Sequence, residues 1–220
     1  NDNTITIPAN CVLEFEGGSL SNGTLVGQNT GIKAGLIKLF NIDVTLAGTW
    51  NVSEAYPEWF GAKGDGITDD RLAIQKALDM PVTVTMLSDK TYMIASYTDT
   101  TNKIGILIPR HQKLLGTSLS YYLGKSVLKT PNGIEFSIVV ALDGPFTTIK
   151  NITVLGGNRD LIAVSVGTKN WANNICLDSI FVVNTGTGLN IKTYVSNITS
   201  GTVTYANIGF YIHGDNVEGR

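Results

Sequence analysis

Cysteine is almost missing from this sequence: 220 residues carry two, Cys11 and Cys176, far apart in the chain. No stapled spacing exists, which excludes a disulfide framework and predicts two free, buried thiols. Charge is scarce too. Asp, Glu, Lys and Arg make up 15% of the chain, below the usual quarter, which excludes a disordered tail or a charge-laced helical protein. With a net charge of −2 and no Lys/Arg run, the chain has no nucleic-acid footprint. No apolar run approaches the roughly 18 residues of a membrane span, so no membrane insertion is expected. The first residue is Asn1, not Met, and "NVEGR" ends the chain abruptly; it reads as a piece of something longer.

What the sequence has instead is glycine, 24 residues of it, spread among short apolar runs. Residues 1–50 are cut by "GGS", "SNG" and "GQNTG", and in "CVLEFE" Cys11, Leu13 and Phe15 alternate with their neighbours. This pattern predicts a strand meander, a small β-rich head over residues 1–56. Residues 57–80 are different. "PEWFGAKGDGITDDRLAIQKAL" crowds glycines and aspartates into a loop and then runs into an amphipathic helix. Thr68 is the expected N-cap, with Asp69 and Asp70 in the first turn, where carboxylates favour free N–H groups and the dipole. Ala73, Ile74, Ala77 and Leu78 form one apolar stripe, and Pro81 ends the helix. So short a helix must lie on an apolar surface to be stable.

From Pro81 onward only strand-like runs remain, and beyond residue 145 they repeat loosely. "IKNITVLG", "LDSIFVVN" and "VSNITSGT" align on Ile152, Ile180 and Ile198; "IAVSVG", "GLNIKT" and "GFYIHG" align on Ile162, Leu189 and Phe210. A period in the low-to-mid twenties, with two or three short strands each time, suits the coils of a parallel β-helix, which stack to share one core. Asn151, Ser179 and Asn197 precede the aligned isoleucines and are placed to form a hydrogen-bonded ladder between coils. The leucine-rich-repeat signature is missing, while a β-sandwich also accommodates such turns. Residues 57–220 are therefore expected to be the N-terminal part of a parallel β-helix domain, with its clearest coils in 145–220.

"FGAKGDGITDDRLAIQKAL" closely resembles the opening segment of the pectate-lyase-like right-handed β-helix superfamily. There "FGAxGDGxTDDxxAIQxA" begins the helix domain of polygalacturonase-related enzymes and of many phage tailspikes. Phe60, Gly61, Ala62, Gly64, Asp65, Gly66, Thr68, Asp69, Asp70, Ala73, Ile74, Gln75 and Ala77 all match. The preceding "GGSLSNGTLVGQNT…GTWNVSEAYPEW" is similar to a leader found in β-helix proteins of gut Bacteroidales and their phages. The two resemblances together cover roughly residues 10–80. They imply an all-β fold, a right-handed parallel β-helix whose first coil is capped by the short helix. They also imply a polysaccharide partner held on one face of the cylinder. A tailspike would be a homotrimer in a virion tail, acting as a depolymerase or as a non-catalytic adhesin alongside other tail proteins. A secreted pectin-type lyase or hydrolase would be extracellular.

Several residues are candidates for that chemistry. Asp65, Asp69 and Asp70 look like oxygen ligands for Ca²⁺, but the EF-hand order is absent; with Thr68 and Ile74 they are assigned to the structural cap, and no metal site is predicted. "GAKGDG" lacks the phosphate-loop spacing. Glycoside hydrolysis needs two carboxyls, about 5–5.5 or 6.5–9.5 Å apart. Asp178, Asp215 and Glu218 are the candidates, with Asp143 and Asp160 behind them. The polygalacturonase branch carries NTD, DD, GHG and RIK motifs. Here "NTGTG" has glycine for the aspartate, and "IHGDN" keeps only His213 and Gly214, which argues against that mechanism within these residues. A lyase would need a base, from Lys150, Arg159 or Lys192, and would take Ca²⁺ as its cofactor; otherwise no cofactor is expected. His111 reads as a turn residue. Trp171 is the tryptophan placed to stack on a sugar ring, and Trp50 and Trp59 are assigned to core packing.

Overall fold

The structure, a computed structural model, describes residues 3–117, 126–158, 160–167 and 174–191, and the backbone of 196–204 and 208–212. Among the described residues the chain is all-β with one short α-helix, and the ladders between its named strands are all parallel. Parallel neighbours cannot be joined by tight hairpins, so the chain must travel elsewhere before returning beside itself. It does so by visiting three ladders in turn. The first contains Thr83–Met86, Lys113–Gly116, Thr148–Lys150 and the start of Ile175–Val183. The second contains Thr91–Met93, Ser126–Lys129, Ile152–Leu155 and the end of Ile175–Val183. The third stacks Ile104–Ile108, Ile138–Leu142, Ile162–Val166, Thr187–Ile191 and Ile208–Ile212. Because Ile175–Val183 belongs to two ladders, the sheet they form is curled around it.

The register explains the core. Val84, Leu114, Ile149 and Leu177 are successive partners in the first ladder. Ile106, Val140, Val164 and Leu189 are partners in the third, and Tyr92, Leu128, Val154 and Val182 in the second. All twelve are buried in one continuous cluster. Each circuit therefore contributes three side chains to a layer that it cannot cover alone, and stacking is what removes them from water. Tyr92 is the one polar member. Its hydroxyl donates to Glu58 Oε1 (2.7 Å) and accepts from Leu87 N–H (3.1 Å). Burial, reinforced by that carboxylate, pushes its pKa well above the ordinary tyrosine value.

The strand meander expected for residues 1–50 is not what forms. Thr4–Thr6, Val12–Glu14 and Val44–Trp50 all pair in parallel with the long strand Gly23–Lys33. Partners such as Leu13 and Ile32, Leu20 and Phe40, or Val26 and Ala47 lie 19 to 21 residues apart. Glycine and asparagine signals therefore mark corners of short parallel circuits. Asn22 and Gly18 sit at φ 61° and 74°; one left-handed residue turns the chain without the paired geometry of a hairpin. The core runs on across residue 56, joining Ile7, Leu25, Leu39, Phe40 and Val44 to the later layers. Trp50 and Trp59 are buried, and their indole N–H groups donate to Ala47 and Gly35 carbonyls.

The repeat alignment also needs correction. Ile152 does face Ile180, since Thr153 pairs with Phe181, but Ile198 pairs with Leu177, not Ile180. Leu189 pairs with Val164 rather than Ile162, and Phe210 with Leu189 as expected. A bulge between Leu177 and Ile180 shifts the register, which equal spacing in the sequence does not reveal. No amide ladder links Asn151 to Ser179: Asn151 Nδ2 points to Gly116 O at 3.4 Å, and Ser179 Oγ donates to Asp178. The Asn197 side chain lies outside the described residues. Both thiols are free but half-buried. Among the described residues, no helix is long and apolar enough to cross a membrane.

Candidate functional site

The acidic loop is used up by its own backbone. Asp65 Oδ1 accepts the N–H groups of Ile67 (2.9 Å) and Thr68 (2.7 Å), and Oδ2 accepts the Thr68 hydroxyl. Those bonds, led by the Thr68 N–H, pull the Asp65 pKa down to about 2. Asp70, almost fully buried, accepts Lys63 N–H (2.7 Å) and Gly64 N–H (3.0 Å); burial nevertheless raises its pKa. Asp69 accepts Ala95 N–H and the Ser96 hydroxyl. Donors thus point at all three carboxylates where a cation would have to sit, and no group of three potential metal ligands exists among the described residues. The loop does not fit Ca²⁺.

The same bonds relocate the helix start. Thr68 is not the N-cap: it lies in the strand Asp65–Asp69, with its hydroxyl engaged by Asp65. The helix spans Arg71–Leu78 with Asp70 at the cap position, and Asp69 Oδ1 accepts the Arg71 N–H at 3.2 Å. Its apolar face is as expected, with Ala73, Ile74, Ala77 and Leu78 all buried. It lies between the N-terminal ladder and the first strand of the third ladder. Lys76 Nζ reaches Val44 O in the N-terminal ladder (3.1 Å), while Gln75 grips Leu107 in the first strand of the third ladder.

That grip positions a cleft. Gln75 Nε2 donates to Leu107 O (2.9 Å), and Leu107 N–H donates back to Gln75 Oε1 (3.1 Å). The carboxamide thereby stands in for the missing neighbour strand at an open edge. From the other direction, buried Gln112 donates to the Leu78 carbonyl at the helix C-terminus (2.9 Å) and to Met80 O. Between Leu107 and Gln112 runs the turn holding Pro109, Arg110 and His111. The equivalent turn of the next circuit, residues 143–147, is zipped onto it by Asp143 N–H to Ile108 O (3.2 Å), His111 N–H to Pro145 O (3.0 Å) and Thr148 N–H to Gln112 O (3.0 Å). Gly144 permits this approach: a Cβ there would lie 2.6 Å from Arg110 Cβ. The two turns border an open cleft of about 480 Å³ lined by Leu107, Pro109, Arg110, Asp143, Gly144 and Pro145. One residue further along each turn, the His111 and Phe146 rings stack at 5.3 Å and 20°.

Of the residues singled out from sequence, Asp143 lines this cleft, and His111 follows the lining residue Arg110 in the chain. Asp178 is elsewhere: its Oδ2 pairs with Lys150 Nζ at 2.7 Å across adjacent circuits, and Ser179 Oγ donates to Oδ1. Two candidates of opposite role, an acid and a base, are therefore partners of each other. The carboxylate raises the Lys150 pKa. Asp160 lies at an exposed bend, its N–H bonded to Asn158. Trp171, Arg159, Lys192, His213, Asp215 and Glu218 lie outside the described residues. Arg110 and Phe146 went unread in the sequence. The available signal was a phenylalanine within the turn-rich "DGPFTT", where a hydrocarbon ring has no strand or helix to pack on. Comparison with protein-family models, with curated proteins and with solved structures gives no match to this chain.

Proposed function

We propose that this chain is part of a right-handed parallel β-helix protein of the pectate-lyase-like kind that engages polysaccharide, in the manner of a phage tailspike. On this reading it acts in a virion tail or outside the cell, as a homotrimer, on a bacterial surface glycan. The observation that carries the reading is the cleft between stacked turns. Arg110 offers a charged hydrogen-bonding group, and the residues that follow Arg110 and Pro145 in the chain form an exposed aromatic pair, the mixture of polar and apolar contact that a sugar ring requires. Support for the fold comes from the opening motif and from three parallel ladders visited in turn.

Binding, with no cleavage, is the activity assigned to the described residues. The cleft lining contains one carboxylate, Asp143, whereas glycoside hydrolysis uses two. The test is a panel of purified bacterial capsular and O-antigen polysaccharides, with polygalacturonate and xylan. Each is assayed for binding, for released reducing ends and for an unsaturated product, alongside the solution mass. Binding without new ends is the expected outcome. Absence of binding across the panel refutes the carbohydrate reading, and a monomeric mass refutes the trimer.

A further inference from the structure

Left-handed backbone is common at the corners of this fold, and its occupants follow a rule. Among the described residues, six of the eleven non-glycine positions with positive φ are asparagines, the residue type best suited to that region after glycine. His111 at φ 63° is also of a tolerated type, whereas Phe146 at φ 58°, on the turn stacked against it, is a bulky ring with no such tolerance. A bulky ring in this conformation is strained, and such strain persists where the surroundings impose it or a ligand uses it. Burial does not compensate Phe146, which is 53% exposed. Its ring lies instead against the exposed His111, one residue from cleft-lining Pro145, while His111 adjoins cleft-lining Arg110.

We infer that Phe146, backed by His111, is a stacking platform for the apolar face of a pyranose ring, whose hydroxyls reach Arg110, the residue before His111. The inference rests on the carbohydrate reading and narrows it to one subsite. Three features make the platform specific. The imidazole behind the phenyl ring fixes its orientation, and the hydrogen bond from His111 N–H to Pro145 O (3.0 Å) fixes the spacing of the two turns. Gln112, between His111 and the next strand, anchors the turn to the helix. The ring is thus held in place before any ligand arrives, which lowers the ordering cost of binding.

The strain argument supplies a test that a structural role would fail. Phe146→Asn places a left-handed-tolerant residue at the corner, so Tm should stay level or rise by roughly 2–4 °C. Affinity for whichever panel polysaccharide the wild-type chain binds should fall about tenfold. Phe146→Trp, which keeps a ring, should retain affinity. In the wild-type complex, saturation transfer should favour the C–H protons of one sugar face, and Phe146→Asn should remove that preference. A Tm loss of several degrees in Phe146→Asn makes the ring a packing residue and overturns the inference. So does unchanged affinity in that variant, which leaves the carbohydrate reading standing. Loss of oligomer mass in Phe146→Asn makes the ring a subunit contact, again overturning the platform. Failure of the wild-type chain to bind any panel member removes the carbohydrate reading and the platform with it.

Discussion

Gln75 is the most informative single side chain to alter, because one carboxamide serves as a strand. It is buried, it pairs with both backbone groups of Leu107, and its Oε1 also accepts the Thr98 hydroxyl at 3.1 Å. Gln75→Leu keeps approximate volume and removes every one of those partners. Two backbone groups left unpaired cost about 1–3 kcal/mol each, and the more apolar side chain returns about 1 kcal/mol. A net loss of roughly 1–5 kcal/mol follows, centred near 3, which is a Tm fall of about 6–12 °C at the centre for a domain of this size. Gln75→Glu separates the two halves of the interaction. Its carboxylate still accepts from Leu107 N–H and Thr98 but presents no donor to Leu107 O. Proton uptake restores that donor, so the folded state raises the glutamate pKa above its unfolded value of about 4.3. The stability contributed by the proton is full at low pH and is lost as pH rises through the folded pKa. Calorimetric melts of wild type and both variants between pH 4 and 8, with hydrogen exchange at Leu107, measure all of this. A Gln75→Leu Tm within 2 °C of wild type, or a Gln75→Glu deficit independent of pH, refutes the strand-mimic account.

Three further outcomes follow from the same geometry. The Asp65 pKa is depressed to about 2 from its ordinary 3.8, so its contribution is present above that ordinary value and is lost as pH falls toward 2; Asp65→Asn should flatten the acid limb of a Tm–pH curve, and an identical limb removes the proposed role of its turn. Asp178→Asn breaks a half-exposed pair with Lys150, and the expected Tm change is no more than about 3 °C with glycan binding unaltered; a selective loss of binding or turnover would restore Asp178 as a site residue. Gly144→Ala forces a Cβ to within 2.6 Å of Arg110 Cβ, so the two turns must separate at a cost of about 1–3 kcal/mol, and binding should weaken with stability; unchanged affinity and Tm would show that the cleft does not depend on their close approach.

Much of the architecture was legible because it rests on local pattern. The apolar stripe of Ala73, Ile74, Ala77 and Leu78, the stop at Pro81 and the strand runs after it are properties of neighbouring residues. The register was legible only in part. Ile152 and Ile180 were matched correctly, but the bulge near Asp178 moved Ile198 to Leu177, and a bulge is set by packing between circuits. The parallel pairing of residues 4–50 was hidden because corner residues look the same whether the next strand returns or continues. The cleft was hidden most deeply. Arg110 and Asp143 stand 33 positions apart and meet only because two circuits of unequal length stack in register. Asp143 and His111 were noticed one at a time, without the turn of the neighbouring circuit on which each of them stacks.

The opening motif looked like a ligand loop because carboxylates and glycines gather there, and the hydrogen bonds show what the gathering accomplishes. Asp70 folds the Lys63–Gly64 backbone over itself, Asp65 closes the turn that follows, and Asp69 ties that turn to Ala95 and Ser96. A helix launched from a loop fixed at three points has a defined direction, which its eight residues could not secure alone. Direction matters because the helix carries Gln75 to the open edge at Leu107 and offers its C-terminal carbonyl to Gln112. Those two amides bracket the turn that holds Arg110 and His111. The aspartates therefore act on the cleft through the helix, by fixing where its first turn lies, and touch nothing that would bind there.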